Sequence, residues 1–458
     1  MQRSDLSVIP KREAVAFLAV ATITVALLQT LFYYVPTPSL DALRYIDYAL
    51  NIHEHGVFGL SGRYRDIVPA PSNNNSPLYP AFLAFAMLID PSLQETLRCV
   101  ASRPDIAVNA CSSSYRVLVL LQNTFVIGSL FLLWATARIL FQRRSIAAIA
   151  CILALASTKL LFFANHLLTE VLILFQFAAL MFVLVVAYRS QKHRHFVIAG
   201  LIVGLMTLTR PEYLYLGYSF ILVGAGFSCA LRSKRVTILT GCFGLSLLFV
   251  ISPWIARNHH HFDRPVVTGG YSDVIISQRT AYNRMSFIEW SAAFIYWLPG
   301  YGESLAAKFL APSSYAKLRP SPDSYVILDS KEIFSSGLAA VDGERERLTG
   351  YLLKTEILNH PIKHVIAGIP LAWRGILTGK YLAIVGLPCA LILLVNAIRH
   401  RRSELLILAA PALTMIILYS MISVSVPRYN VYLIYYYAIA TAWVIISLAD
   451  SRNQSPPQ

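Results

Sequence analysis

Charge is scarce in this sequence: only 14% of its 458 residues are Asp, Glu, Lys or Arg. A soluble domain carries about 25%, so a water-solvated fold of this size is excluded. Acidic residues are the scarcer sign, 24 against 39 Lys and Arg, leaving a formal charge of +15. The basic excess is scattered between apolar runs rather than gathered in one patch, which excludes a nucleic-acid partner. With 6 cysteines the chain is no disulfide scaffold. Repeats and low-complexity tracts are missing, and about nine residues follow the last apolar run, so no soluble terminal domain is expected.

What fills the chain is hydrophobic side chain, 56% of it. Runs near the ~20 residues of a helical span occur at 14–35, 115–140, 146–164, 168–188, 236–254, 380–398, 404–422 and 430–449. The stretch 196–231 is too long for one crossing: its 36 residues would run about 54 Å as a helix. Arg210-Pro211-Glu212 lies near its middle, and proline disfavours helix at the residue before it. Two short spans, 196–208 and 213–231, give ten in all.

Charge placement agrees with ten. The clusters Lys11/Arg12, Arg143/Arg144, Arg189/Lys192/Arg194, Arg232/Lys234/Arg235 and Arg399/Arg401/Arg402 then share one side, as the positive-inside bias requires. The expectation is an all-α polytopic membrane protein with both termini cytoplasmic. The first apolar run is too long for a signal-peptide core and lacks a convincing cleavage site, so it reads as the first span. The expected organisation is a membrane core over 1–254 with an outer juxtamembrane loop at 36–114. An outer region at 255–379, between spans seven and eight, and closing spans within 380–458 complete it. Cys151, Cys229, Cys242 and Cys389 lie in or beside spans; Cys99 and Cys111 share the outer loop and can pair if that side is oxidising.

Ionisable groups at membrane depth are costly and mark function by default. Apart from the basic clusters they stand at the outer ends of spans: Asp41, Arg44, Glu170, Arg210, Glu212, Arg257 and Arg428. No comparable group falls at mid-bilayer, where a transporter would be expected to keep charges or broken helices. In "LDALRYIDYALNI", Asp41, Arg44, Tyr45 and Tyr48 share one helical face, and Ala42, Ile46, Ala49 and Leu50 the other. Arginines with a carboxylate at headgroup level suit a lipid-linked anionic donor. Guanidinium grips phosphate bidentately, and a carboxylate can take the proton of an attacking hydroxyl. The histidines of "HEH" (53–55) and "HHH" (259–261) have spacings that do not converge on a metal.

The order of these segments resembles the C-type glycosyltransferase superfamily, particularly bacterial lipid A aminoarabinose transferases and relatives of protein O-mannosyltransferases. "LDALRYIDYALNI" is similar to that family's Asp-Glu-x-Arg-Tyr-x-x-x-Ala pattern, and "NNNSPLYPAFLA" to its Pro-Leu-Tyr segment. "LLTEVLILF", "GLMTLTRPEYLYL", "SPWIARNHHHFDRPV" and "PRYNVYLIYYYAIA" also match recurrent segments. The resemblance implies transfer of a sugar from a polyprenyl-phosphate carrier to a hydroxyl of a lipid, glycan or protein, with inversion. It implies Asp41 as base, with Arg44, Tyr45, Glu170, Arg210, Glu212, Arg257, Arg428 and Tyr429 binding substrate. No cofactor beyond the lipid-linked donor is expected, and a divalent metal is disfavoured without being ruled out. The resemblance further implies a bacterial inner-membrane location with the site outside. Two departures stand out. The family's second acid is Ala42 here, and a lysine preceding Pro-Leu-Tyr is replaced by Asn75 or Ser76, so an arginine has to supply that positive charge. Oligosaccharyltransferase members carry a large soluble C-terminal domain, which sets the expectation here away from whole-oligosaccharide transfer. The competing expectation is a flippase of lipid-linked sugars that makes no bond.

Overall fold

A computed structural model describes residues 9–32, 38, 40–61, 67–102, 111 and 114–453. The all-α expectation holds: among the described residues the only extended pairing is an isolated antiparallel bridge, Gly59 to Pro71. Among the described residues eight helices are long and apolar enough to cross a membrane. Contacts divide the chain into two units. One comprises Met1–Gly270, Cys389–Ala409 and Ala438–Gln458; the other comprises Tyr271–Pro388 and Ala410–Tyr437.

The first unit begins with α1 (Lys11–Phe32) and three short helices: α2 (Leu40–His55), α3 (Leu78–Ile89) and α4 (Pro91–Ser102). Then come α5 (Arg116–Phe141), α6 (Arg144–Ala156), α7 (Lys159–Ala164), α8 (Glu170–Ser190), α9 (His193–Thr209), α10 (Tyr213–Leu231) and α11 (Lys234–Phe262). Parts of α18 (Tyr381–Arg399), α19 (Ser403–Ile422) and α20 (Leu433–Asn453) complete it. Arg210 ends α9 in extended backbone (φ −146°, ψ 120°), the conformation its following proline demands. The expected span 146–164 is instead broken between α6 and α7. Thr158 stands there at φ +58°, a left-handed conformation that a β-branched residue adopts only under strain.

The apolar face expected of α2 is the buried one. Ala42, Ile46, Ala49 and Leu50 pack against Tyr79, Leu83 and Met87 of α3, Leu93 and Leu97 of α4, and Leu118 of α5. At about 1.5–3 kcal/mol per fully buried large aliphatic chain, this cluster fixes α2 against α3, α4 and the start of α5. Cys99 and Cys111 form a disulfide in the same loop, with Cα atoms 5.9 Å apart.

Ion pairs gather the basic connections at one end of this unit. Glu13 of α1 meets Arg138 at 2.8 Å and Arg144 at 3.0 Å. Arg189 reaches Glu404 at 2.7 Å and the Ile139 carbonyl at 2.7 Å. Arg143 pairs with Asp450, and Arg235 donates to the Gln191 carbonyl at 3.0 Å. The start of α1 and the end of α20 therefore lie at the same end.

The second unit holds α12 (Ser272–Ala281), α13 (Phe287–Tyr296), α14 (Gly302–Phe309), α15 (Ser330–Ala340), α16 (Arg345–Leu352) and α17 (Pro361–Ile376), together with residues 410–437. Its core is Tyr282, Ala293, Tyr315, Tyr325, Ile333, Leu348, Leu371 and Val424. A capping box starts α13: Glu289 N donates to Ser286 Oγ at 3.3 Å and Ser286 N to Glu289 Oε2 at 2.9 Å. Arg279 is fully buried and spends its guanidinium on the Ser420 carbonyl (2.6 Å), the His364 carbonyl (2.7 Å) and Asn283 Oδ1 (3.1 Å). Desolvation pushes it down to about 9, so it stays charged at neutral pH.

Candidate active site

Three segments of the first unit bring charge together. α2 supplies Asp41 and Tyr45; Glu170 opens α8; the Arg210–Glu212 turn joins α9 to α10. Arg210 is the centre. Its Nε lies 2.8 Å from Glu212 Oε1 and its Nη1 3.6 Å from Glu170 Oε1. The side chains of Arg210 and Glu212 are 15% and 19% exposed and that of Glu170 only 2%. Water therefore screens this cluster little.

Tyr45 joins α2 to it. Burial raises the Tyr45 hydroxyl above the usual phenol range; Arg210 opposes that, and Glu170, Asp41 and Glu212 reinforce it. The phenol is a neutral hydrogen-bond donor in a field set by the acids of all three segments. Its ring meets Tyr79 edge to face, centroids 5.3 Å apart. Tyr79, raised by burial and then by Glu170, donates to Gln122 Oε1 at 3.0 Å. Gln122 in turn donates to the carbonyls of Ala164 (2.8 Å) and His166 (3.2 Å), fixing the turn that delivers Glu170. On the other side Ser76 Oγ donates to the Thr207 carbonyl at 3.2 Å, tying the Pro-Leu-Tyr segment to the last turn of α9.

Asp41 is half-buried and Arg44 exposed. The face expected to hold Asp41, Arg44, Tyr45 and Tyr48 is not polar throughout. Tyr48 is fully buried, stacked on Phe58 at 4.1 Å with its hydroxyl 2.9 Å from Ser72 Oγ. The reason is that Phe58 and Ser72, both beyond the end of α2 in the chain, meet the Tyr48 side chain. Arg257 supports the same two residues: it donates to the carbonyls of Ser72 (2.8 Å) and Phe58 (3.1 Å) and to Asn258 Oδ1 (2.8 Å). Its guanidinium sits 4.7 Å over Trp254. Arg428 and Tyr429 lie in the second unit, on the 3₁₀ turn Pro427–Asn430. There the half-buried Arg428 guanidinium lies 5.8 Å over the Tyr429 ring, itself 5.3 Å from Tyr419.

Sequence reasoning passed over three residues beside this cluster. Asp47 is buried at 7% exposure and 3.4 Å from Asn51 Nδ2. His166 and Lys159 flank the turn into Glu170; the His166 ring is lowered by burial, and the charges of Glu170 and Lys159 both act on it. The signal for His166 and Lys159 was the interruption of the 146–164 run, which composition hides because Ser157 and Thr158 are compatible with a span. Glu54 of the "HEH" stretch pairs with Arg98 at 2.7 Å. Among the described residues no group of three His, Cys, Asp or Glu is arranged to hold a metal.

Residues 109–256 match the model of the dolichyl-phosphate-mannose-protein mannosyltransferase family. No curated protein matches the sequence. Among solved structures, the archaeal oligosaccharyltransferase AglB from Archaeoglobus fulgidus, in complex with an inhibitory peptide and a dolichol-phosphate, is 13% identical with a TM-score of 0.54. That alignment covers 99% of this chain and 53% of AglB. The apo form gives 14% identity and a TM-score of 0.52 over 98% and 52% of the two chains. ArnT from Cupriavidus metallidurans, bound to undecaprenyl phosphate, is 13% identical over 97% of this chain and 80% of its own. Its TM-score of 0.36 is too low to argue from. The likeness to these oligosaccharyltransferases is one of fold, and the chain spans about half their length.

Proposed function

We propose that this chain is a membrane glycosyltransferase that moves a sugar from a polyprenyl-phosphate carrier to an acceptor hydroxyl on a lipid, glycan or protein. Asp41 takes the proton from the acceptor as its oxygen bonds to the anomeric carbon. The carbon–oxygen bond to phosphate breaks on the opposite face, and the electron pair leaves with the polyprenyl phosphate. Inversion follows. The phosphate is a stable anion, so the leaving group needs cations rather than an acid, and the step uses no metal.

The observation that carries this reading is a guanidinium held between two acids beside the helix that bears Asp41. Glu170 and Glu212 aim Arg210, and Tyr45 donates a hydrogen bond to donor oxygen. Three carboxylates stand against two guanidiniums among Asp41, Glu170, Glu212, Arg44 and Arg210, so a phosphate needs more positive charge than these provide. Arg257, which belongs to the same unit, is the proposed supplement. The site faces the side opposite the basic connections, which the positive-inside bias makes extracytoplasmic, in a bacterial inner membrane. A flippase gains no support from the family match.

Membranes carrying Asp41→Asn are the test, assayed with a panel of labelled polyprenyl-phosphate sugars. General-base assistance is typically worth about 10²–10⁴ in rate, and a fall of that size is expected with donor binding retained. Near-normal turnover removes Asp41 from the role of base.

A further inference from the structure

At the opposite end of the first unit lies a cavity of about 490 Å³ that the transfer reaction does not use. It opens between the ends of α5, α8 and α20 and the starts of α6 and α19, where the basic connections converge. α9 alone puts about 25 Å between that end and Arg210. The volume lies within the ~300–1,000 Å³ of small-molecule sites.

Its lining is cationic in a graded way. Arg189, with a side chain 12% exposed, is fully committed to Glu404 (2.7 Å) and the Ile139 carbonyl (2.7 Å) and acts as a fixed wall. Arg402 is looser: 3.8 Å from Glu404, 35% exposed, its guanidinium 6.0 Å over the Phe141 ring. Arg143 is held by Asp450 in a pair whose side chains are 52% and 43% exposed. Pairs this exposed contribute little, so Arg143 can turn to a new anion at little cost. Three guanidiniums face two carboxylates, and Trp443 and Ile446 give the cavity an apolar side.

We propose that this cavity binds a phosphate-bearing anionic headgroup, with Arg402 and Arg143 gripping its oxygens and its apolar part resting on Trp443 and Ile446. Arginine's planar fork suits phosphate, and the mouth lies where the spans end and headgroups sit. A lipid phosphodiester and a free phosphate share this chemistry, and the test below separates the two sources.

The test is native mass spectrometry of the full chain in detergent, titrated with dioleoyl phosphatidylglycerol, dioleoyl phosphatidylcholine or inorganic phosphate. Parent protein is compared with the Arg143→Gln/Arg402→Gln double variant and with Lys308→Gln, a basic residue of the second unit, as a charge-loss control. The expected result is retention of phosphatidylglycerol over phosphatidylcholine, weakened at least tenfold by the double variant and unchanged in Lys308→Gln. Millimolar inorganic phosphate that displaces phosphatidylglycerol from the parent assigns the same site to a soluble phosphate. Equal retention of the two lipids, or a double variant that melts like the parent and binds phosphatidylglycerol as well, overturns the proposal. Should the double variant melt lower, Trp443→Ala must weaken phosphatidylglycerol while leaving inorganic phosphate unaffected; if it does not, the proposal fails.

Discussion

Removing Arg210 tests the site's electrostatics most directly, because its partner Glu170 is only 2% exposed and cannot turn to water. At 3.6 Å and an effective dielectric of about 20, the gross attraction is about 5 kcal/mol. Desolvation offsets most of that, leaving a coupling of about 1–3 kcal/mol. Arg210→Ala removes the guanidinium that faces the buried Glu170 and is expected to cost about 3–5 kcal/mol. Arg210→Ala/Glu170→Gln removes both charges and should recover most of the loss. Transfer behaves differently: if Arg210 stabilises the departing phosphate, its removal costs about 10²–10³ in turnover, and the second substitution recovers none of it. Melting in detergent and initial rates with a saturating donor, measured on the parent, both single variants and the double, separate the two. A double variant with parental turnover would refute the phosphate role. Equal melting of Arg210→Ala and the double variant would refute the buried pairing.

His364 makes the second unit acid-sensitive. Burial, then the charge of Arg279, push it down to about 4 from an ordinary 6.5, while its Nε2 lies 2.8 Å from the Met421 carbonyl. The unfolded chain therefore binds the proton first. About 3 kcal/mol of stability present above pH 6.5 is lost as pH falls to about 4, and melting of His364→Gln across that window should be flatter. Gly375 is crowded: a Cβ there would overlap Ser425 Oγ and stand 2.7 Å from Asn430 Nδ2. Gly375→Ala should cost about 1–3 kcal/mol, read as a lower midpoint in thermal unfolding. A chelator added to membranes in the transfer assay should leave the rate unchanged, since the proposed step runs on Asp41 and arginines. A loss restored by one divalent cation would contradict that.

How far the sequence could be read depended on whether the signal was local. The apolar stripe Ala42, Ile46, Ala49, Leu50 gave the buried face of α2, because helical period alone decides it. Pro211 gave the break after Arg210, because proline acts on its immediate neighbour. Tyr48 was misplaced because its partners Phe58 and Ser72 arrive from a loop no periodicity describes. The work of Arg257 was hidden for the same reason: its acceptors are backbone carbonyls 199 and 185 residues away. Thr158 was missed because its left-handed backbone leaves no compositional trace. The gathering of Glu170, Arg210 and Glu212 could be suspected from position in the membrane; that Glu170 and Glu212 share one guanidinium required coordinates.

Arg279 carries a consequence for biosynthesis. Its shortest bond goes to a carbonyl 141 residues downstream. At about 5–20 residues per second, the ribosome needs roughly 7–28 s to deliver Ser420 after Arg279 has emerged. Until then the nascent second unit carries a cation that its finished interior neutralises by hydrogen bonds but that a half-made one leaves in water. Closure of that interior therefore waits on the penultimate helix, and the outer region cannot mature ahead of the segment that completes it.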